Sequence, residues 1–390
     1  METSVKKEKK LNKKKLVLAI IVILFIISVI VNFIVYCVNA NFRNWVDINI
    51  LQKEIKQGKT KSIEFNGENS ENVYAYDQYI VILENKELKI YNVSGIEEAS
   101  ITTDISNPIF DAMGKYLAIA EKDGQSVYLI ENNKIIWNTN IEGKISDIEI
   151  NENGYVGIII SDISYKNIIN IYNTEGKSLL KTYVATNKVV DISISKNNQY
   201  LAIAEVDISG VLIQSSIRVI DIIKAKTDAE NAITNIYTAK VGKLITNIEY
   251  QSKDRLLCSY NDSINIIEEK VDKELLKISD NHITFASVEL NNNIFTVEEK
   301  KEEQYTSSSS VNIINTINNK IKTYKIEEIA KSIYSYRKVI ALNLGTELHI
   351  INTNGWLMKK YVSDQEINKV IISDKLAGII YRDKIEIIDL

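Results

Sequence analysis

The hexapeptide Tyr116-Leu-Ala-Ile-Ala-Glu121 recurs unchanged as Tyr200-Leu-Ala-Ile-Ala-Glu205, and Gly154-Tyr-Val-Gly-Ile-Ile-Ile160 holds the same place between them. Each identical copy follows an apolar stretch and a polar turn, Met-Gly-Lys before one and Asn-Asn-Gln before the other. Identity within a shared context marks a repeated unit, and repeated units stack so that each buries its neighbour's apolar face. Aligned on this element, second strands start near Ile80, Leu117, Val156, Leu201, Leu256, Ile294, Val339 and Leu376, at spacings of 37 to 55 residues. The unit around Gly154 reads as four strands, 145–150, 155–160, 168–172 and, after Gly176, 178–184. Four strands repeating at roughly 40–50 residues are the signature of a β-propeller.

The rest of residues 59–390 agrees. Ile, Val and Tyr dominate short strands separated by Asn, Asp, Gly, Lys and Ser turns, and no amphipathic helix of more than a few turns follows residue 60. The expectation is therefore an all-β propeller of eight four-stranded blades, or seven if the unit at 283–326 is irregular. The last unit holds only three strands, at 370–373, 377–381 and 385–388. A missing fourth strand would leave an open edge that invites aggregation. Lys61-Ser-Ile-Glu-Phe65 is unassigned and of suitable length, and is predicted to close the ring as that fourth strand.

Charge is divided unevenly. Seven Lys against Glu2 and Glu8 give residues 1–15 a charge of +5, so the −4 of the whole chain leaves −9 for the remainder. Between the two parts, Leu16 to Val38 is LVLAIIVILFIISVIVNFIVYCV, 23 residues without charge. At about 1.5 Å per residue this makes roughly 35 Å of helix, enough to span a bilayer. The apolar run exceeds that of a signal peptide, so an uncleaved signal anchor is expected over cleavage after Ala40. The lysine excess before the span orients it with a cytoplasmic tail (1–15), a transmembrane helix (16–38), a juxtamembrane linker or short helix (39–58) and an extracytoplasmic propeller (59–390). Trp45 suits the interfacial belt just outside the span, where aromatic rings settle.

The blades resemble divergent WD-repeat or quinoprotein-like blades: the turn followed by Tyr-Leu-Ala-Ile stands where such blades carry an aspartate-glycine turn before Leu-Ala. An anchor followed by a divergent propeller resembles functionally uncharacterised membrane proteins of low-GC Gram-positive bacteria. The Trp-Asp dipeptide and the sialidase Ser-x-Asp-x-Gly-x-Thr-Trp box are missing, and with only three Trp no tryptophan-docking motif exists, so quinone binding is not implied.

Catalytic signals are sparse. Two Cys, Cys37 in the span and Cys258 beyond it, exclude a disulfide within the external domain. His282 and His349 lie in separate units without ligand spacing, and there is no Gly-x-Ser-x-Gly elbow and no phosphate-cradling glycine loop. No catalytic, cofactor or metal residue is assigned, and the acidic balance argues against nucleic acid. Long loops between second and third strands, at 161–167, 205–216 and 298–310, emerge on one face and make it the candidate binding surface, with Asp162, Tyr165, Asp207, Gln214, Glu302 and Tyr305 as its polar and aromatic residues. The insertion at 223–234 is expected to form a short helix on the opposite side. Glu121 and Glu205, ending equivalent strands, are read as inherited register in preference to an acidic ring. The expected role is a non-enzymatic docking scaffold for an envelope protein or cell-wall ligand. The alternative is an exported hydrolase or lyase whose active site lies in the central channel, which convergent carboxylates at the channel would favour.

Overall fold

The computed structural model describes residues 13–39, parts of 42–51, and 60–390 apart from 229–230, 279–282 and 303–305. It divides into two units, Met1–Lys56 and Gln57–Leu390. The first contains helix α1 (Lys13–Val38), and its stretch Ile20–Val38 is long and apolar enough to cross a membrane and has no buried residue. The side chain of Leu16 and the whole of Trp45 lie outside the described residues, as does most of 39–58. Val38 ends the helix with its side chain exposed.

The second unit is a ring of eight four-stranded antiparallel sheets. Blades 1 to 7 cover residues 73–102, 108–140, 144–184, 188–238, 245–277, 283–326 and 332–362, each in simple up-and-down order from the axis outward. Blade 8 joins strands Lys369–Ile372, Leu376–Ile380 and Lys384–Asp389 to the N-terminal strand Lys61–Glu64. Ser62 pairs with Glu386 and Ile63 with Ile385, so the first strand closes the last blade as the sequence predicts. The unit at 283–326 is a regular blade, which settles the number at eight. Second strands begin within one residue of each predicted position.

The repeated hexapeptide has a packing reason. Side chains alternate across a strand, so Leu117 and Ile119 enter the cluster shared with blade 1, while Ala118 and Ala120 enter the cluster shared with blade 3. Leu201 and Ile203 likewise face blade 3, and Ala202 and Ala204 face blade 5. Large residues on one side and small on the other let wedge-shaped sheets mesh around a ring. Gly157 takes the alanine place in blade 3, where a Cβ would come within 2.6 Å of Ile192 Cδ1 in blade 4. Eight buried apolar clusters result among the described residues, one at each blade interface.

Alternation of strand direction sorts the connections by face. Loops between second and third strands share one face, the loop face, with the blade-to-blade crossings. First-to-second and third-to-fourth turns share the other, the turn face. The chain enters strand Lys61–Glu64 from the turn face, since that strand runs antiparallel to Lys384–Asp389. The short helix expected in 223–234 is present as α2 (Ile222–Ala225), capped by Asp221 and lying on the turn face.

Candidate functional site

The loop face is most irregular at blades 3 and 4. In blade 3, Asp162 Oδ1 accepts from the backbone N–H of Ser164 (2.8 Å) and Tyr165 (3.0 Å), bending the loop so that Ile163 is fully exposed. Tyr165 packs on Tyr183 with ring centroids 4.7 Å apart. In blade 4, Asp207 and Gln214 are paired strand residues and only 208–213 forms the loop, a narrower excursion than 205–216 because the ladder persists to its base. Asp207 Oδ1 accepts from Ser209 N (2.9 Å) and Oγ (2.6 Å), bonds that hold its carboxyl below the ordinary aspartate range, and Gln214 Nε2 donates to Ala239 O at 3.1 Å. The predicted polar residues thus shape the loops, while Ile163, Ile208, Val211, Leu212 and Ile213 present the surface. Gly242 N donates to Ile213 O at 3.0 Å, tying exposed Val241 to the same edge.

In blade 6 the expected long loop is largely strand. The hairpin Asn293–Glu302 and Thr306–Asn315 keeps its ladder to the pair Glu302↔Thr306, so cross-strand pairing carries the charged and serine-rich stretches as extended backbone. Glu302 is therefore a strand residue, and Tyr305 lies outside the described residues. His282 is also outside them. His349 is a buried structural residue, its Nδ1 3.0 Å from Tyr324 Oη and its Nε2 3.3 Å from Glu347, and burial depresses its pKa. Glu121 and Glu205 stand away from the axis: Glu121 accepts from Ser106 N (2.5 Å) at a blade crossing, and Glu205 pairs with Arg218 at 2.6 Å.

The axis carries a feature that motif reading missed. Innermost strands leave one edge unpaired, so their N–H groups need other acceptors. Asp111 of blade 2 accepts from Ile150 N of blade 3 (2.6 Å) and from Ala112 N (2.8 Å). Asp191 of blade 4 accepts from Ile248 N of blade 5 (2.7 Å) and from Ile192 N (2.9 Å), and Ser193 Oγ accepts from Tyr250 N at 3.0 Å. Asp147 accepts from Ile148 N at 2.9 Å. With Glu149, Glu249 and Glu289 the three aspartates converge on the axis from blades 2 to 6; the pKa values of Asp111, Glu149, Asp191 and Glu249 are raised by burial and then by neighbouring acids, and those of Asp147 and Glu289 by burial. Burial, then the N–H bonds that partly offset it, places Asp111 and Asp191 at about 7. Burial and then Asp191 and Asp111 push Glu249 to about 8, and burial followed by Asp111 and Glu249 drives Glu149 well up. The sequence signal was acidic residues at matching inner-strand places, Asp147-Ile-Glu149-Ile and Asn247-Ile-Glu249-Tyr.

The other half of the axis is aromatic. A cavity of about 270 Å³ is lined by inner-strand residues of blades 6, 7, 8 and 1, including Tyr74, Phe285, Glu289, Tyr334, Ser335 and Tyr336. Tyr336 Oη accepts from Gly114 N at 3.0 Å, a bond running from blade 7 to blade 2 across blades 8 and 1 at the turn face. Among the described residues no group of three His, Cys, Asp or Glu side chains is placed to hold one metal ion.

Solved structures with this architecture include BamB from Moraxella catarrhalis, with TM-score 0.50 and 9% identity over 85% of this chain and 98% of that one. Chaetomium thermophilum Sqt1 bound to the N-terminus of ribosomal protein L10 superposes with TM-score 0.53 and 10% identity over 85% of this chain and 100% of that one. Dihydro-heme d1 dehydrogenase NirN in complex with DHE gives 0.51 and 12% over 85% and 73%. At such identities the likeness is one of fold. No curated protein sequence matches the chain. Residues 52–390, the whole propeller unit and the residues just before it, match one family profile, and the chain accordingly belongs to that family of unknown function, DUF5711.

Proposed function

We propose that the chain is a membrane-anchored scaffold that holds another protein of the cell envelope on the loop face of blades 3 and 4, with α1 spanning the bilayer, the basic tail in the cytoplasm and the propeller outside. The carrying observation is the exposure of Ile163, Val211 and Leu212 at the tips of neighbouring loops on one face. Aliphatic side chains held in water by ordered turns, beside a rigid disc, are typical of interaction sites. Sqt1, a propeller of similar fold, is bound to the N-terminus of a ribosomal protein, which supports the suitability of such a disc for gripping polypeptide. A photo-crosslinking residue at position 163 or 212, expressed in cells, is expected to give the same adduct from both positions. None is expected from position 223, which is also exposed, on the turn face. Adducts of equal yield from 223, or none from 163 and 212, would refute the reading.

The axial carboxylates favour a second reading, an exported hydrolase or lyase, because an acid raised to about 8 is protonated at neutral pH and able to donate a proton. Against it, Asp111, Asp147 and Asp191 are engaged by backbone N–H groups. Turnover of envelope glycans or peptides that disappears in Glu249→Gln would establish this alternative.

A further inference from the structure

The axis divides into an acidic half and an aromatic half, and the two meet at one cavity. Glu289 lines the cavity and stands where they join, its Oε2 accepting from Ser335 Oγ at 2.6 Å. Tyr74 is the second junction: it lines the cavity, stacks on Phe110 at 5.6 Å with planes 16° apart, and lies within electrostatic range of Asp111, Tyr336, Glu289 and Glu149. Glu149 and Glu249 reach the centre from blades 3 and 5, are partly buried, and accept no hydrogen bond from any described residue. Two carboxyls of that kind have no structural occupation, unlike the three aspartates.

The cations nearby do not neutralise them. Lys369 lines the cavity, but its Nζ is drawn to Glu71 at 3.1 Å and to Ser70 O at 3.3 Å. Arg337, at the turn end, is bound to Asp374 at 2.9 Å. Lys122 near Asp147 and Lys196 near Glu249 act only as weaker, distant charges. Nor is the arrangement that of a metal site, since among the described residues no three carboxylates close on one point. Acidic groups spread beside tyrosine and phenylalanine rings suit a cation that is extended and partly apolar: an ammonium group displaces protons from the raised carboxyls and meets the carboxylates, and methylenes lie on ring faces.

We propose that the axial cavity is a binding site for a small primary alkylammonium, the ammonium group held by Glu289 with Glu149 and Glu249 behind it and the alkyl part lying against Tyr74, Phe285, Tyr334 and Tyr336. The site is independent of the loop face and could be filled by a free diamine or by a lysine side chain of a bound protein. The full chain in detergent would be titrated calorimetrically with 1,4-diaminobutane, with Nα-acetyl-lysine amide, and with 1-butanol as the uncharged counterpart. Saturable binding of either amine is expected, with proton release visible as a dependence of the heat on buffer. Glu289→Gln is expected to weaken it about tenfold, the equivalent of about 1.4 kcal/mol. Tighter binding of the diamine identifies a free amine, and tighter binding of the lysine derivative identifies a side chain. Should Glu289→Gln lose its native circular dichroism, Ser335→Ala, which frees the carboxylate without removing charge, is expected to retain or strengthen amine binding. The proposal is overturned by the absence of saturable heat with both amines, by equal binding of 1-butanol, or by a folded Glu289→Gln that binds as the parent does.

Discussion

Asp111 shows how one side chain serves both the fold and the charge of the axis. It satisfies two N–H groups, one of them on the next blade's exposed inner edge, and an orphaned buried donor costs on the order of 1–3 kcal/mol. Asp111→Ala is therefore expected to lower the unfolding free energy by about that amount in urea. Asp111→Asn, which sheds the charge and keeps an acceptor oxygen for one of the two N–H groups, should cost less. The direction of the pH dependence follows from the raised carboxyls. Their pKa values of about 7 to 8 in the folded state lie above ordinary values of 3.8 and 4.5, so the folded protein binds protons more tightly than the unfolded chain does. The stabilisation that protonation confers is complete below pH 4 and is lost as pH rises through 7 to 8. Thermal unfolding followed by circular dichroism should show a lower midpoint at pH 9 than at pH 5.5, and Asp111→Asn should flatten that slope. A midpoint that rises over the interval would contradict the electrostatics described for the axis.

Among the elements, the closing strand bears the largest consequence for its length. Lys61–Glu64 pairs four residues with Lys384–Asp389 and seals the blade edge that would otherwise be open. Ile63 and Phe65 are buried with Val73, Ile80 and Ile385 in the cluster between blades 8 and 1. Ile63→Ala is expected to cost roughly 2–5 kcal/mol, as deletion of a buried aliphatic side chain does. A double change, Ser62→Pro with Ile63→Asp, removes a ladder donor and buries a charge. It should shift the purified protein toward oligomers in size-exclusion chromatography, because the freed edge is a template for another chain. A monomeric double variant of unaltered stability would mean that blade 8 holds without its fourth strand. The 2–3 hairpin of blade 6 is a contrasting element. Its serine-rich, charged sequence suggests a loop, and cross-strand pairing nonetheless extends it as ladder to Glu302 and Thr306.

For the whole molecule, charge and hydropathy forecast the topology. With the +5 tail inside, protease added to spheroplasts should digest the propeller, whereas protease added to inverted vesicles should spare it. The reverse pattern would refute the orientation proposed from the lysine excess. The architecture itself was legible in the chain. Strand starts, ring closure and the short helix on the far face follow from local patterning, because a strand's alternation and a turn's residues are written within a few positions, and the choice of eight blades over seven waited on the regularity of the unit at 283–326. The candidate loops were legible in part: those of blades 3 and 4 stand where expected, but Asp162 and Asp207 proved to brace the turns that lift aliphatic neighbours into water. The axis was not legible. Asp111, Glu149, Asp191, Glu249 and Glu289 sit in different blades, and each alone is an acidic residue in a short strand. They become a site when the ring closes and turns every inner strand toward one line. Sequence alone determined a propeller of four-stranded blades behind an apolar helix, since periodicity and hydropathy are local. Only the tertiary structure decided that its centre is half acidic and half aromatic, since that juxtaposition exists through closure of the ring.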